Sequence, residues 1–67
     1  MIEYTNSEIR DIIDELIHSE RNRDLLKRRL IDGITYEKLA EEFDMSVRQV
    51  KNVIYKEQEK VLKRLVQ

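Results

Sequence analysis

Between Phe43 and Val47 the chain has three residues, Asp44, Met45 and Ser46, in which to end one helix and start another. No other feature restricts the fold as much. Upstream, Thr35 reads as an N-cap before Leu39, Ala40 and Phe43, which share one helical face, with Glu37, Lys38, Glu41 and Glu42 opposite. Downstream, Ser46 is followed three residues later by Gln49, a pairing in which hydroxyl and amide satisfy each other's orphan backbone groups. Asp44 and Met45 are too few for a meander and enough for the turn of a helix-turn-helix.

Two helices crossing steeply need a small side chain at their closest approach. Ala40 supplies it, with Leu39, Phe43 and Met45 around it and Val50 and Val53 closing the other side. With Val50, Val53 and Ile54 facing inward, Val47, Arg48, Lys51, Asn52 and Tyr55 or Lys56 are predicted on the outer face. That face has the chemistry of a DNA reader. Arg and Lys neutralise phosphates or contact guanine, Asn bonds adenine twice, and Val47 suits a thymine methyl. The alternative is a helical hairpin with a merely solvated charged face, which is what charge runs usually signify. The coincidence of cap, short turn, small residue and ordered apolar positions favours the DNA reader.

At 67 residues the chain is predicted to be one domain, 1–67, with no material for a second core. It has no cysteine for a disulfide or thiolate metal site, so helix packing or a partner must supply stability. The absence of cysteine suits a reducing cytoplasm, and no apolar run approaches the roughly 18 residues of a membrane span, so a cytoplasmic, membrane-free protein is expected. The formal net charge of −1 conceals an asymmetry. Met1–Ser46 carries 12 acidic and 7 basic residues, whereas Val47–Gln67 carries 2 acidic and 6 basic. Positive charge thus gathers on the candidate reading helix and its continuation.

In chain order, Met1–Thr5 reads as a short, frayed lead, and Thr5 with Glu8 offers a capping box, Asn6 and Ser7 being alternative caps. Ile9, Ile12, Ile13, Leu16 and Ile17 then form a buried stripe, giving a helix at about 6–18 with His18 suited to its C-terminal dipole. Ser19 caps a second helix, about 20–31, containing Leu25, Leu26, Leu30 and Ile31. Gly33 reads as its left-handed C-cap. The basic residues Arg21, Arg23, Lys27, Arg28 and Arg29 are expected to pair with acids of the first and third helices, with phosphate contact a secondary use. Helices at about 35–43 and 46–66 complete an all-α, four-helix architecture, and the segment KEQEKVLKRLVQ is expected to cover the isoleucine stripe of the first helix.

The run SERNRDLLKRRLIDGITYEKLAEEFDMSVRQVKNVIYKEQEKVLKRL resembles the fourth conserved region of bacterial RNA polymerase sigma factors. The shared pattern is a Glu/Arg-rich helix, Asp-Gly, Thr, a helix-turn-helix and a final basic helix. In that family the region reads the minus-35 promoter element with its last helix and contacts the polymerase flap through an apolar surface. By position, the resemblance implies that Val47, Arg48 and Asn52 face bases, while Gln49, Lys51 and Lys56 lie near the DNA backbone. Asp44 stands where the family often has glycine, and nothing resembles the region that melts the minus-10 element. The resemblance therefore implies a free-standing regulator of the kind found in phages and mobile elements, or a domain of a longer chain, and not a complete sigma factor.

These residues lead to the expectation of a sequence-specific DNA-binding transcriptional regulator whose partners are double-stranded DNA, RNA polymerase or a second copy in a homodimer. Two other functions compete: a module that binds RNA polymerase with little affinity for DNA, and a helix-turn-helix component of phage DNA packaging. One histidine, no cysteine and no glycine-rich phosphate loop argue against an enzyme, and no cofactor or metal is expected.

Overall fold

The structure is a computed structural model that describes residues 4–66. Among these the chain is all-helical, with α1 at Asn6–Leu16, α2 at Glu20–Leu30, α3 at Tyr36–Phe43 and α4 at Val47–Leu65, and no strand. Met1–Glu3 of the expected lead lie outside the described residues.

Each helix starts where a hydroxyl takes an orphan amide. Thr5 Oγ1 accepts from Glu8 N–H at 3.1 Å, and Glu8 Oε1 accepts from Thr5 N–H at 3.1 Å, closing the capping box. Ser19 accepts from Asn22 N–H at 3.3 Å, and Thr35 from Lys38 N–H at 3.2 Å. Thr35 and Ser46 stand just outside α3 and α4 with extended backbones, as the caps read from the sequence require.

α1 stops earlier than periodicity predicts. Ile17 is already extended (φ −103°, ψ 118°), because Ser19 must be extended to cap α2 and little chain remains for the reversal. Arg23 fastens the corner, its Nη1 donating to the carbonyls of Ile17 at 2.9 Å and His18 at 3.0 Å. His18 is therefore an exposed linker residue rather than a member of the last helical turn, which corrects its expected role at the dipole. After α2, Gly33 takes φ +69°, and the following Ile34 N–H returns to the Arg28 carbonyl at 3.1 Å. This is the left-handed turn that glycine adopts without steric penalty.

Nine buried apolar residues drawn from all parts of the chain make one core: Ile13, Ile17, Leu25, Leu26, Leu39, Ala40, Val50, Ile54 and Val61. α4 runs through the middle of the arrangement and packs on each of the other three helices. At about 1.5 Å per residue its length is about 28 Å, which accounts for most of the 33 Å long axis. Its C-terminal half covers α1, with Val61 buried, Leu62 turned outward, and the Tyr4 hydroxyl donating to the Leu65 carbonyl at 2.6 Å.

Of the five basic residues of α2 expected to pair with acids of α1 and α3, Arg23, Lys27 and Arg28 do so, and Arg21 and Arg29 form no ion pair among the described residues. Lys27 Nζ lies 2.6 Å from Asp14 Oδ1, tying α2 to α1, and Arg64 reaches Glu15 at 3.4 Å, tying α4 to α1. Arg28 forks onto both Glu42 oxygens, with Nε 3.1 Å from Oε2, tying α2 to α3. The hydrogen bonds from Arg28 hold the Glu42 carboxyl below its ordinary value, with burial opposing.

Candidate nucleic-acid interface

The junction between α3 and α4 sets the angle of everything beyond it. Asp44 is left-handed (φ 53°, ψ 50°), and its N–H still donates to the Ala40 carbonyl. Met45 N–H donates to the same oxygen at 2.9 Å, so the end of α3 is sealed within two residues. Ser46 then opens α4 with a full capping box: Ser46 Oγ accepts from Gln49 N–H at 3.1 Å, and Gln49 Oε1 accepts from Ser46 N–H at 2.9 Å. Leu39 and Ala40 of α3 are buried in one core with Val50 and Ile54 of α4, which holds the two helices as a unit.

Arg48, Gln49, Asn52 and Lys56 are exposed on the first half of α4. Arg48 and Asn52, four residues apart, share one face. Gln49 is committed through its carbonyl oxygen to the cap, leaving its amide N–H groups outside the box.

Two expected members of the outer face sit otherwise. Val47 is half-buried and packed against the core, because positions 47, 50 and 54 fall on one helical stripe with the buried Val50 and Ile54. Lys51 is also half-buried; its stem lies along the protein and its Nζ stands 5.5 Å from the centre of the Tyr36 ring.

Arg29 and Tyr36, absent from the predicted face, adjoin it together with Tyr55, which the sequence offered there as an alternative to Lys56. The Arg29 guanidinium lies 4.2 Å from the Tyr36 ring centre and donates through Nη1 to the Ile34 carbonyl at 3.0 Å. Tyr55 meets Tyr36 edge to face, centroids 6.1 Å apart at 83°. The neighbouring Tyr36 phenol pushes the Tyr55 phenol above its ordinary value, against the opposing Arg29 charge. Tyr55 was visible in the sequence as the residue four after Lys51 on the same face; Arg29 carried no local signal linking it to α4.

Electrostatically, α4 has no acidic residue before Glu57, and that one is turned inward with 5% exposure. Glu57 accepts from Asn22 Nδ2 at 3.3 Å and pairs with Lys60 at 3.0 Å, in the α2–α4 joint. Among the described residues Arg29, Arg48, Lys51 and Lys56 form no ion pair, whereas Arg23, Lys27, Arg28 and Arg64 do. Those four unpaired cations lie on α4 or beside it, and Arg10, Arg21 and Lys38 are likewise without an ion pair among the described residues, on α1, α2 and α3.

Among the described residues no three acidic or histidine side chains converge to hold a metal ion, and no helix is long and apolar enough to cross a membrane. On the far half of α4, Ile9, Leu30, Gln58, Val61, Leu62 and Leu65 line an open, almost wholly apolar hollow of about 160 Å³. Compared with protein-family models, curated proteins and solved structures, the chain matches none.

Proposed function

We propose that this protein is a sequence-specific DNA-binding transcriptional regulator of the sigma-region-4-like type, laying the N-terminal half of α4 in the major groove. The observation that carries this reading is the exposed Arg48–Asn52 face, on a helix anchored by a left-handed turn and a closed capping box and free of acidic side chains until Glu57. Arg48 has the fork to bond guanine O6 and N7, and Asn52 the amide to bond adenine N6 and N7. Lys51, Lys56 and the free amide of Gln49 serve the flanking phosphates. The half-burial of Val47 reserves it for seating the helix rather than for a thymine methyl.

One helix contacts few base pairs, so the reading calls for a second copy on an adjacent half-site or for RNA polymerase as co-anchor. The apolar hollow beside the exposed Leu62 favours a second reading, docking on a polymerase or other protein surface. At about 160 Å³ it is smaller than the ~300 Å³ at which small-molecule pockets begin, and it suits one inserted apolar side chain.

The test is selection of duplexes from a random library, followed by a salt series on the selected site. Arg48→Ala and Asn52→Ala are each expected to lose about 1–3 kcal/mol of preference for one base position. An Arg48→Ala, Lys51→Ala double variant is expected to show a shallower salt slope than the native chain. A native chain that binds no duplex even at low salt refutes the DNA reading; loss of polymerase binding in Leu62→Lys would then support the second.

A further inference from the structure

Arg29 and Lys51 approach the same aromatic ring, at 4.2 and 5.5 Å from its centre, although they bear the same charge. The chain has 14 acidic residues against 13 basic, yet among the described residues none forms an ion pair with either cation. Each cation is attracted by the π electrons of the ring, and an anion held beside it would attract both more strongly. Arg29 is also held in place: one Nη1 hydrogen is spent on the Ile34 carbonyl, which fixes the plane of the guanidinium and leaves its other N–H groups to donate. Tyr55, 51% exposed and edge-on to Tyr36, adds a hydroxyl beside them.

The position of this cluster identifies its ligand. Arg48, Lys51, Asn52 and Tyr55 follow the i, i+3, i+4, i+7 stripe of α4, so the cluster continues the face assigned to base reading. A helix in a major groove about 12 Å wide has a phosphate strand along each flank. Arg29 lies beside α4, brought there by α2 and the Gly33 turn.

We infer that Arg29, Lys51 and Tyr55, gathered on Tyr36, form a clamp for one backbone phosphodiester of the duplex, fixing the register of α4 from the edge of the base-reading face. This inference rests on the proposed DNA-reading function.

The experiment is fluorescence anisotropy of the full chain on its selected duplex and on a random duplex across a potassium chloride series, with thermal melts of every variant. Arg29→Gln is expected to weaken binding by the same factor on both duplexes and to make the log–log salt slope shallower by about 0.9, the value of one phosphate contact. Arg29→Lys should keep the native slope, since it keeps the charge, while binding more weakly; Tyr55→Phe should weaken both duplexes equally with no change of slope. Arg48→Ala, by contrast, should narrow the difference between duplexes.

If Arg29→Gln lowers the melting temperature but leaves the salt slope and affinity at native values, Arg29 only packs on Tyr36 and the clamp is refuted while DNA reading stands. A native chain that binds neither duplex removes both proposals together. Inorganic phosphate at matched ionic strength separates the remaining source: selective phosphate binding lost in Arg29→Gln, with duplex binding unaltered, assigns the cluster to free phosphate and overturns the clamp.

Discussion

Two left-handed residues bracket α3, and exchanging their side chains tests the backbone argument in both directions. Asp44 holds φ 53° although it carries a Cβ, and Gly33 holds φ +69° without one. Left-handed backbone costs an L residue about 1–2 kcal/mol, with Asp near the lower end because its short carboxylate bonds locally. Placing glycine there removes that strain but adds about 0.5–1 kcal/mol of unfolded-chain entropy. Asp44→Gly is therefore expected to stabilise by up to about 0.5 kcal/mol, or about 2–4 °C in Tm for a domain of this size.

Gly33→Ala runs the balance the other way. A Cβ at position 33 meets nothing within 4 Å, so no clash enters and only conformational strain opposes the entropy gained. The expected result is a loss of about 0.5–1 kcal/mol. Both variants are measured by thermal melts followed by circular dichroism, at low and high salt so that the lost Asp44 charge is separated from the lost strain. An Asp44→Gly chain that melts below native at both salts, or a Gly33→Ala chain that melts above it, refutes the reasoning.

Removing the α4 cap by Ser46→Ala should cost about 1 kcal/mol in denaturant unfolding, because the Gln49 amide proton loses its acceptor. Leu39→Ala, at a position with no exposure in the α3–α4 joint, should cost about 2–5 kcal/mol, comparable with the whole stability of so small a core, so loss of the cooperative helical melt is expected. For Glu57, burial raises the carboxyl pKa, but Lys60, Asn22 and Lys56 outweigh it and leave it below its ordinary value. Its contribution is accordingly complete above the unfolded value of about 4.3 and is lost as pH falls through the lower folded value; Tm measured down this acid range should fall less steeply in Glu57→Gln than in the native chain. Arg28→Ala breaks an inter-helix pair whose side chains are 39% and 30% exposed, and for so exposed a pair only a slight fall in Tm, smaller still at high salt, is expected by the same melts.

The helix starts were legible because a cap is a contact between residues three apart: Thr5 with Glu8, Ser46 with Gln49, and the hydroxyls of Ser19 and Thr35 all act within one turn of chain. The inward stripes of α1 and α4 were legible for a similar reason, since 3.6-residue periodicity is local. Where α1 ends was not, because that was decided by Arg23 reaching two carbonyls across the corner and by the extended backbone Ser19 needs. Nor was the limit of the outward face of α4. Periodicity assigned Val47 and Lys51 to solvent, but a helix buried against three others has a wider inward arc, which takes in Val47 and lays Lys51 along Tyr36. The approach of Arg29 and Lys51 to one ring and the burial of Glu57 against Asn22 bring in residues more than twenty positions apart. Local sequence determined which segments are helical and which side of each is apolar; only tertiary packing decided which charges lose their solvent and which cations meet without a carboxylate, because those depend on how helices cross.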